Sequence, residues 1–135
     1  MSGTLSLSLF PGALAVCRLA PDAPLPAWAT AGGFHSVTRT PSELSVVCGA
    51  ELVPDGVTCE GGGRALAVDG KLDFGMVGVL SRLLGPIARG GIGVLAISTY
   101  DTDWILVREG DLDRTLAILE RSGHPVAESP WKRTP

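Results

Sequence analysis

The 135-residue sequence predicts an α+β fold of antiparallel sheets with helices on one face, and three observations carry that prediction. Between residues 64 and 126 a strand, a glycine-punctuated helix, two strands, a second helix and a last strand follow one another, the order of a split βαβ unit. Leu5, Leu7 and Leu9 alternate with Ser6 and Ser8, the period of a strand with one wet face. A pattern of strand, hydroxyl-rich corner, acid and strand occurs twice, at residues 38–47 and 98–107, which is a weak internal repeat.

The first half opens with the Leu5–Leu9 alternation, turned by Pro11 and Gly12 into a returning strand over 13–19. Residues 20–26, rich in proline, form a loop to a short helical turn near 27–30. Strands over 34–38 and 44–48 follow, joined by the corner Arg39, Thr40, Pro41, Ser42 and Glu43, and residues 53–57 turn the chain. Glu60, Gly61, Gly62 and Gly63 mark the expected boundary between a first module, residues 1–60, and a second, residues 64–126. Superposing Ser98 on Thr38 aligns the two corners and lays Glu43 on Asp103.

In the second module residues 64–68 read as a strand and Asp69-Gly70 as a turn. Met76, Leu80, Leu83, Leu84 and Ile87 recur at spacings of three and four, so one helix face is buried. Pro86 is expected to kink that helix or start a new turn, and Gly90-Gly91 to end it. Residues 94–97 and 104–107 are nearly continuous apolar runs, expected as central strands covered by helices on one side. Asp111 is placed to cap a second helix whose Leu112, Leu116 and Leu119 face the sheet before Gly123 ends it. Residues 127–135 read as a flexible tail.

Charge and cysteine usage exclude several functions. A formal net charge of −3 and a pI near 5.2 leave no basic face to displace counterions, so nucleic acid is not an expected partner. No apolar run approaches a membrane span and the first residues lack a signal-peptide pattern, so no membrane association and a cytoplasmic location are expected. Cys17, Cys48 and Cys59 are odd in number, far apart in sequence and form no Cys-x-x-Cys pair, so they read as small buried hydrophobes of a reducing compartment. His35 and His124 have no partner at ligand spacing, and neither a metal nor another cofactor is expected. No Ser-His-acid or Cys-His motif appears, and the strand over 94–97 carries none of the aromatics of an RNA-recognition sheet.

One place in the sequence suits a small zwitterion. A carboxylate is favoured where free N–H groups point outward at a helix N-terminus, here expected at Met76 to Gly78, with glycine allowing close approach to the backbone. The ammonium then needs an acid, for which Asp103, Asp101 and Glu43 are the candidates. Each feature also has a purely structural explanation: Gly75 and Gly78 allow tight helix packing, Ser98, Thr99 and Thr102 close a turn through local hydrogen bonds, and Asp73 caps the helix.

The corner of residues 38–48, the pair Asp73-Phe74 and the run of residues 97–107 together resemble the small tandem ACT-domain proteins, relatives of the regulatory part of aspartate kinases and of arginine sensors. The resemblance implies ferredoxin-like ACT modules in tandem that bind a free amino acid at the junction between modules. On it, Phe74, Gly75, Met76, Val77 and Gly78 and then Ile97, Ser98 and Thr99 supply contacts; the corner Thr40, Ser42 and Glu43 and the acids Asp101 and Asp103 are expected, from their corner positions, to face the same cleft. The kinase catalytic domain is missing from this sequence, so the expected function is a non-enzymatic amino-acid sensor or regulatory protein that pairs as a homodimer. The alternative is a protein-interaction adaptor with a vestigial ligand pocket.

Overall fold

The computed structural model describes residues 4–70 and 78–128, which fall into two compact units. One unit comprises Gly12–Gly63; the other joins the chain up to Pro11 with the chain from Arg64 onward. The expected site residues Phe74, Gly75, Met76 and Val77, the helix residue Met76, the cap Asp73 and residues 129–135 of the tail lie outside the described residues.

The unit of residues 12–63 is a sheet with little helical cover. Its strands are β2 (Leu14–Leu19), β3 (His35–Arg39), β4 (Leu44–Gly49) and the first part of β5 (Thr58–Val68), in the order β3-β4-β2-β5 and all antiparallel. Pro21, Pro24 and Pro26 each remove an amide donor and bias the preceding residue away from helix, so the β2 to β3 crossover forms only a 3-10 turn, Ala27–Thr30. A second 3-10 turn, Ala50–Leu52, spans the β4 to β5 connection ahead of Pro54. The core is built from small side chains, Ala15, Cys17, Ala29, Leu44, Val46 and Cys48, with Trp28 and Val53 packed at its rim. Arg39 fastens the proline-rich loop by donating to the carbonyls of Pro21 and Ala23.

The glycine run expected as a boundary does end the first unit at Gly63, but it lies within β5 rather than in a loop. Cys17 pairs with Cys59 and Arg18 with Thr58, which carries the strand upstream of Arg64. Between Leu14↔Gly63 and Val16↔Glu60 the register shifts, so β5 spends one residue more than β2. Gly62, with φ +78°, absorbs that residue as a bulge that a side chain would strain.

In the other unit the N-terminal strand takes a place the sequence assigns to the first module. β1 (Leu7–Leu9) runs antiparallel to β5 through Leu7↔Val68 and Leu9↔Leu66, and parallel to β8 (Val126–Glu128) through Leu7↔Val126. Leu5 and Leu7 are buried, Ser8 donates to Asp69 Oδ1 at 2.6 Å, and the Leu5 amide donates to Nδ1 of the buried His124 at 3.1 Å. A strand with these partners belongs with residues 64–128 rather than with residues 12–60. Ala127 and Glu128, expected in the tail, continue β8.

Two helices cover this unit's core. α1 (Val79–Arg89) buries Val79, Leu83 and Ile87, and α2 (Leu112–Arg121) buries Leu112, Thr115 and Leu119. Fully burying each such leucine or isoleucine contributes about 1.5–3 kcal/mol. α1 starts later than expected: Gly78, at φ +79°, precedes it, and Arg82 N–H is bonded to Gly78 O at 3.0 Å. The outward amides of the first turn of α1 are those of Val79, Leu80 and Ser81. Pro86 sits inside α1, which continues to Arg89 before Gly90 and the left-handed Gly91 end it. Asp111 makes no side-chain cap; its carbonyl accepts the Thr115 hydroxyl at 2.8 Å and its carboxylate pairs with Arg114.

The remaining strands are β6 (Leu95–Ser98) and β7 (Asp103–Arg108), antiparallel to one another, with β7 also paired to β5. β7 is central, with Ile105, Leu106 and Val107 buried. β6 is not the covered strand that its apolar run predicts: it pairs with β7 alone among the described strands, and Leu95 is 41% exposed. The unit keeps the ferredoxin-like order, β6-β7-β5, with β1 inserted ahead of β8.

Candidate functional site

The acids and hydroxyls singled out in the second unit meet in the β6–β7 corner. Ser98 and Asp103 are cross-strand partners, and the Ser98 hydroxyl donates to Asp103 Oδ1 at 2.7 Å. Thr99 N–H and Thr99 Oγ1 both donate to the Thr102 carbonyl, at 2.8 and 3.0 Å, which closes the four-residue turn. Thr102 Oγ1 donates to the Val68 carbonyl at 2.7 Å, so this corner lies at the end of β5 from which the chain departs toward α1. Ile97 is half-buried opposite Trp104, whose ring meets Phe10 edge-on at 6.0 Å. Asp101 and Tyr100, at the tip, are exposed. Gly78 is exposed, and a methyl group added there would meet nothing within 4 Å. Much of the hydroxyl bonding capacity here serves the turn itself.

The corner of the first unit has the same construction. Thr40 N–H donates to Glu43 O at 2.8 Å, and Thr40 Oγ1 accepts from Ser42 N–H and Glu43 N–H, both at 3.1 Å. The strand registers Arg39↔Leu44 and Ser98↔Asp103 bracket the two turns. Thr40 therefore corresponds to Thr99, Glu43 to Thr102 and Leu44 to Asp103. The sequence superposition is wrong by one residue, which in a strand exchanges the two faces. Glu43 is not the counterpart of Asp103. The matched threonines, each closing its turn onto the residue three places on, are the signal that fixes the register. Thr40, Ser42 and Glu43 lie on one unit and Gly78, Ile97, Ser98, Thr99, Asp101 and Asp103 on the other.

Two further features escape sequence reasoning. A groove of about 380 Å³ on the second unit is lined by Thr4, Ser81, Arg82, Pro86, Arg89, Ser122, Gly123 and His124, none of them a predicted site residue. Along the sheet of the first unit the three cysteines form a row across β4, β2 and β5: Cys17 is directly opposite Cys59, and Cys48 lies diagonally across from it on β4. Burial, reinforced by its two neighbours, pushes the Cys17 thiol up to about 12. Cys17 and Cys48 are buried as expected, but Cys59 is exposed. No group of three or more His, Cys, Asp or Glu side chains among the described residues could hold a metal ion.

A family model for the ACT domain matches residues 58–121, and another, described only as an N-terminal domain, matches residues 12–56. A structure from Agobacterium tumefaciens is 32% identical to this chain, superposes with a TM-score of 0.91, and aligns over 98% of this chain and 99% of its own. The chain belongs to the ACT-domain proteins. A Vibrio cholerae protein of unknown function shares the fold at a TM-score of 0.74 with 20% identity, covering 90% of this chain and 91% of its own. The ligand-free regulatory subunit of aspartate kinase from Thermus thermophilus does so at 0.61 and 10% identity, covering 86% and 96%. No curated protein sequence matches the chain. The ACT match spans β5 to α2 and contains the β6–β7 corner, so the candidate residues Gly78, Ile97, Ser98, Thr99, Asp101 and Asp103 lie within the ACT domain. No described helix is long and apolar enough to cross a membrane.

Proposed function

We propose that this ACT-domain protein is a non-enzymatic sensor that binds a free α-amino acid on its ACT unit. The ligand carboxylate is assigned to the first turn of α1, reached through Phe74, Gly75, Met76, Val77 and Gly78, and the ammonium to the corner of Ile97, Ser98, Thr99, Asp101 and Asp103. The observation that carries the reading is the ACT match over this unit, with Asp103 and the helix start led by Gly78, which has no side chain to bond the first amides, both inside it. Such a helix start offers amide donors and positive dipole to a carboxylate, while a carboxylate corner offers the countercharge to an ammonium.

Thermal shift against the common amino acids, confirmed by calorimetry, tests the proposal. A ligand at about a hundred times its dissociation constant stabilises the folded state by about 2.7 kcal/mol, enough to raise the melting temperature by several degrees. Asp103→Asn should keep the fold and weaken binding roughly ten- to a hundredfold, the worth of one charged hydrogen bond. Glu43→Gln, in the same titration, tests the corner of the first unit. The absence of any shift at millimolar amino acid rejects the sensor and favours the adaptor. For the adaptor, the specific observation is the outer strand β6, with Leu95 and the nearby, fully exposed Tyr100 open to a partner. A second copy of the chain is the partner proposed for that edge, and light scattering that gives a mass near 14.0 kDa with and without ligand rules it out.

A further inference from the structure

We propose that Cys59 and Cys17 form a reversible oxidation site, in which exposed Cys59 meets the oxidant and buried Cys17 resolves it to a cross-strand disulfide. The site stands on the pairing of β2 with β5. Cys17 and Cys59 are direct antiparallel partners, so their side chains leave the sheet on the same face as nearest cross-strand neighbours. Directly paired antiparallel residues have Cα atoms about 4.5 or 5.5 Å apart, and disulfides accept about 4.4–6.8 Å. Cys48 does not fit as well: it lies opposite Ala15, while Cys17 lies opposite Val46, which makes Cys48 a diagonal neighbour at about 7–8 Å. The three thiols thus form a row rather than a ring, a shape suited to a bond between two neighbours and not to enclosing an ion. Exposure is divided in the same sense, since a peroxide reaches Cys59 from solvent whereas Cys17 is 1% exposed and Cys48 is fully buried. An accessible thiol beside a resolving thiol is the arrangement that stops oxidation at a reversible stage.

The oxidant is a peroxide. The Cys59 thiolate attacks one peroxide oxygen, the O–O bond breaks, and the departing hydroxide takes a proton to become water, leaving a sulfenic acid. Cys17 then attacks the Cys59 sulfur, losing its proton to the departing hydroxyl as the S–O bond breaks and a second water leaves. Two thiols lose two electrons in total, and one peroxide becomes two waters. The high pKa of Cys17 makes this second step the slow one, and leaves the reduced pair stable in a reducing compartment.

Treating the intact protein with equimolar hydrogen peroxide, then alkylating and mapping peptides by mass, tests the proposal. The expected product has lost two hydrogens, links the Cys17 and Cys59 peptides within one chain, and returns to the thiol form with dithiothreitol. Cys48→Ser should leave this link intact, Cys59→Ser should abolish it, and Cys17→Ser should leave Cys59 as a sulfenic acid that dimedone captures. The wild-type map is decisive even where a buried variant folds poorly. A Cys17 to Cys48 link, a Cys59 to Cys59 link between chains, or direct passage of Cys59 to sulfinic acid overturns it.

Discussion

The two units share a strand order and differ in what covers it. In residues 12–63 the order β3-β4-β2-β5 places the second, third, first and fourth strands side by side, and in the ACT unit β6-β7-β5 repeats the first three places of that order. The connections that form α-helices of 11 and 10 residues in the ACT unit are 3-10 turns of four and three residues in the other. Hairpin and crossover geometry are therefore sufficient to order the strands, whereas the depth of core depends on the cover. α1 and α2 drive Leu83, Ile87 and Leu119 into the ACT core, while the turn of residues 27–30 contributes buried Ala29. The thinly covered unit compensates with alanine and cysteine on its sheet, which is how three thiols come to share one face.

The sharpest way to break this comparison is to remove the same side chain from each core. Leu83→Ala in α1 should cost about 2–5 kcal/mol, in the upper part of that range because helix and sheet both wall the cavity. Leu44→Ala in β4, among small neighbours that can close around the gap, should fall in the lower part. Urea midpoints at constant slope measure both. Equal losses would mean that the sheet, not its cover, sets the depth of each core.

Next in size is the bulge. Gly62→Val places a β-branched residue at φ +78° and should cost about 1–3 kcal/mol, even though no atom lies within 4 Å of the added Cβ. Gly61→Val, with the same open surroundings but no positive φ, is the control and should cost much less. A similar loss at both positions would show that the strand, rather than the bulge conformation, resists the side chain.

The cysteine row gives the thinly covered unit a pH dependence of its own. The folded-state pKa of Cys17 is raised from 9.0 to about 12, so its neutral thiol stabilises the fold fully below pH 9 and that contribution is lost as pH rises toward 12. The stability of the wild type should fall more steeply with pH than that of Cys17→Ala, by up to about 1.4 kcal/mol per pH unit in this window. Parallel denaturation midpoints for the two proteins between pH 9 and 11 would contradict it.

Much of this was legible from local chemistry. The 3.6-residue spacing of Leu80, Leu83, Leu84 and Ile87 announced α1, and the prolines of residues 20–26 announced a unit without a long first helix. Partner choice was not legible. Leu5, Leu7 and Leu9 say that a strand has a buried face, but not that its neighbours are Leu66, Val68 and Val126. The glycine run of residues 61–63 looks like a linker because glycine is permissive, and the same permissiveness lets it carry a bulged strand. β6 reads as central because its composition is apolar, yet exposure follows from its position beside β7 alone among the described strands. At the candidate site the residue types at the β6–β7 corner could be read directly. The bonding of Ser98 to Asp103 and of Thr102 to Val68 required the register, and the row of Cys48, Cys17 and Cys59 required three strands to be aligned.

The smallest expected effect sharpens the comparison most, because it sets one residue against its structural counterpart. Thr40 and Thr99 occupy the same place in the two corners, but Thr40 Oγ1 accepts two amide protons at 3.1 Å, whereas Thr99 Oγ1 accepts one at 3.4 Å. Replacing threonine by valine keeps the shape and leaves those amides without that acceptor. A hydrogen bond of this kind contributes about 0.5–1.5 kcal/mol, less where water can replace the lost partner. Thr40→Val should therefore destabilise its corner by about 1 kcal/mol and Thr99→Val by about half as much, with faster hydrogen exchange at Ser42 and Glu43 in the first case and at Thr102 in the second. If Thr99→Val also abolishes amino-acid binding while Thr40→Val does not, the two corners share a construction and not a role. Equal effects of the two variants on stability, with exchange unchanged at those amides, would remove the correspondence on which the corrected register rests.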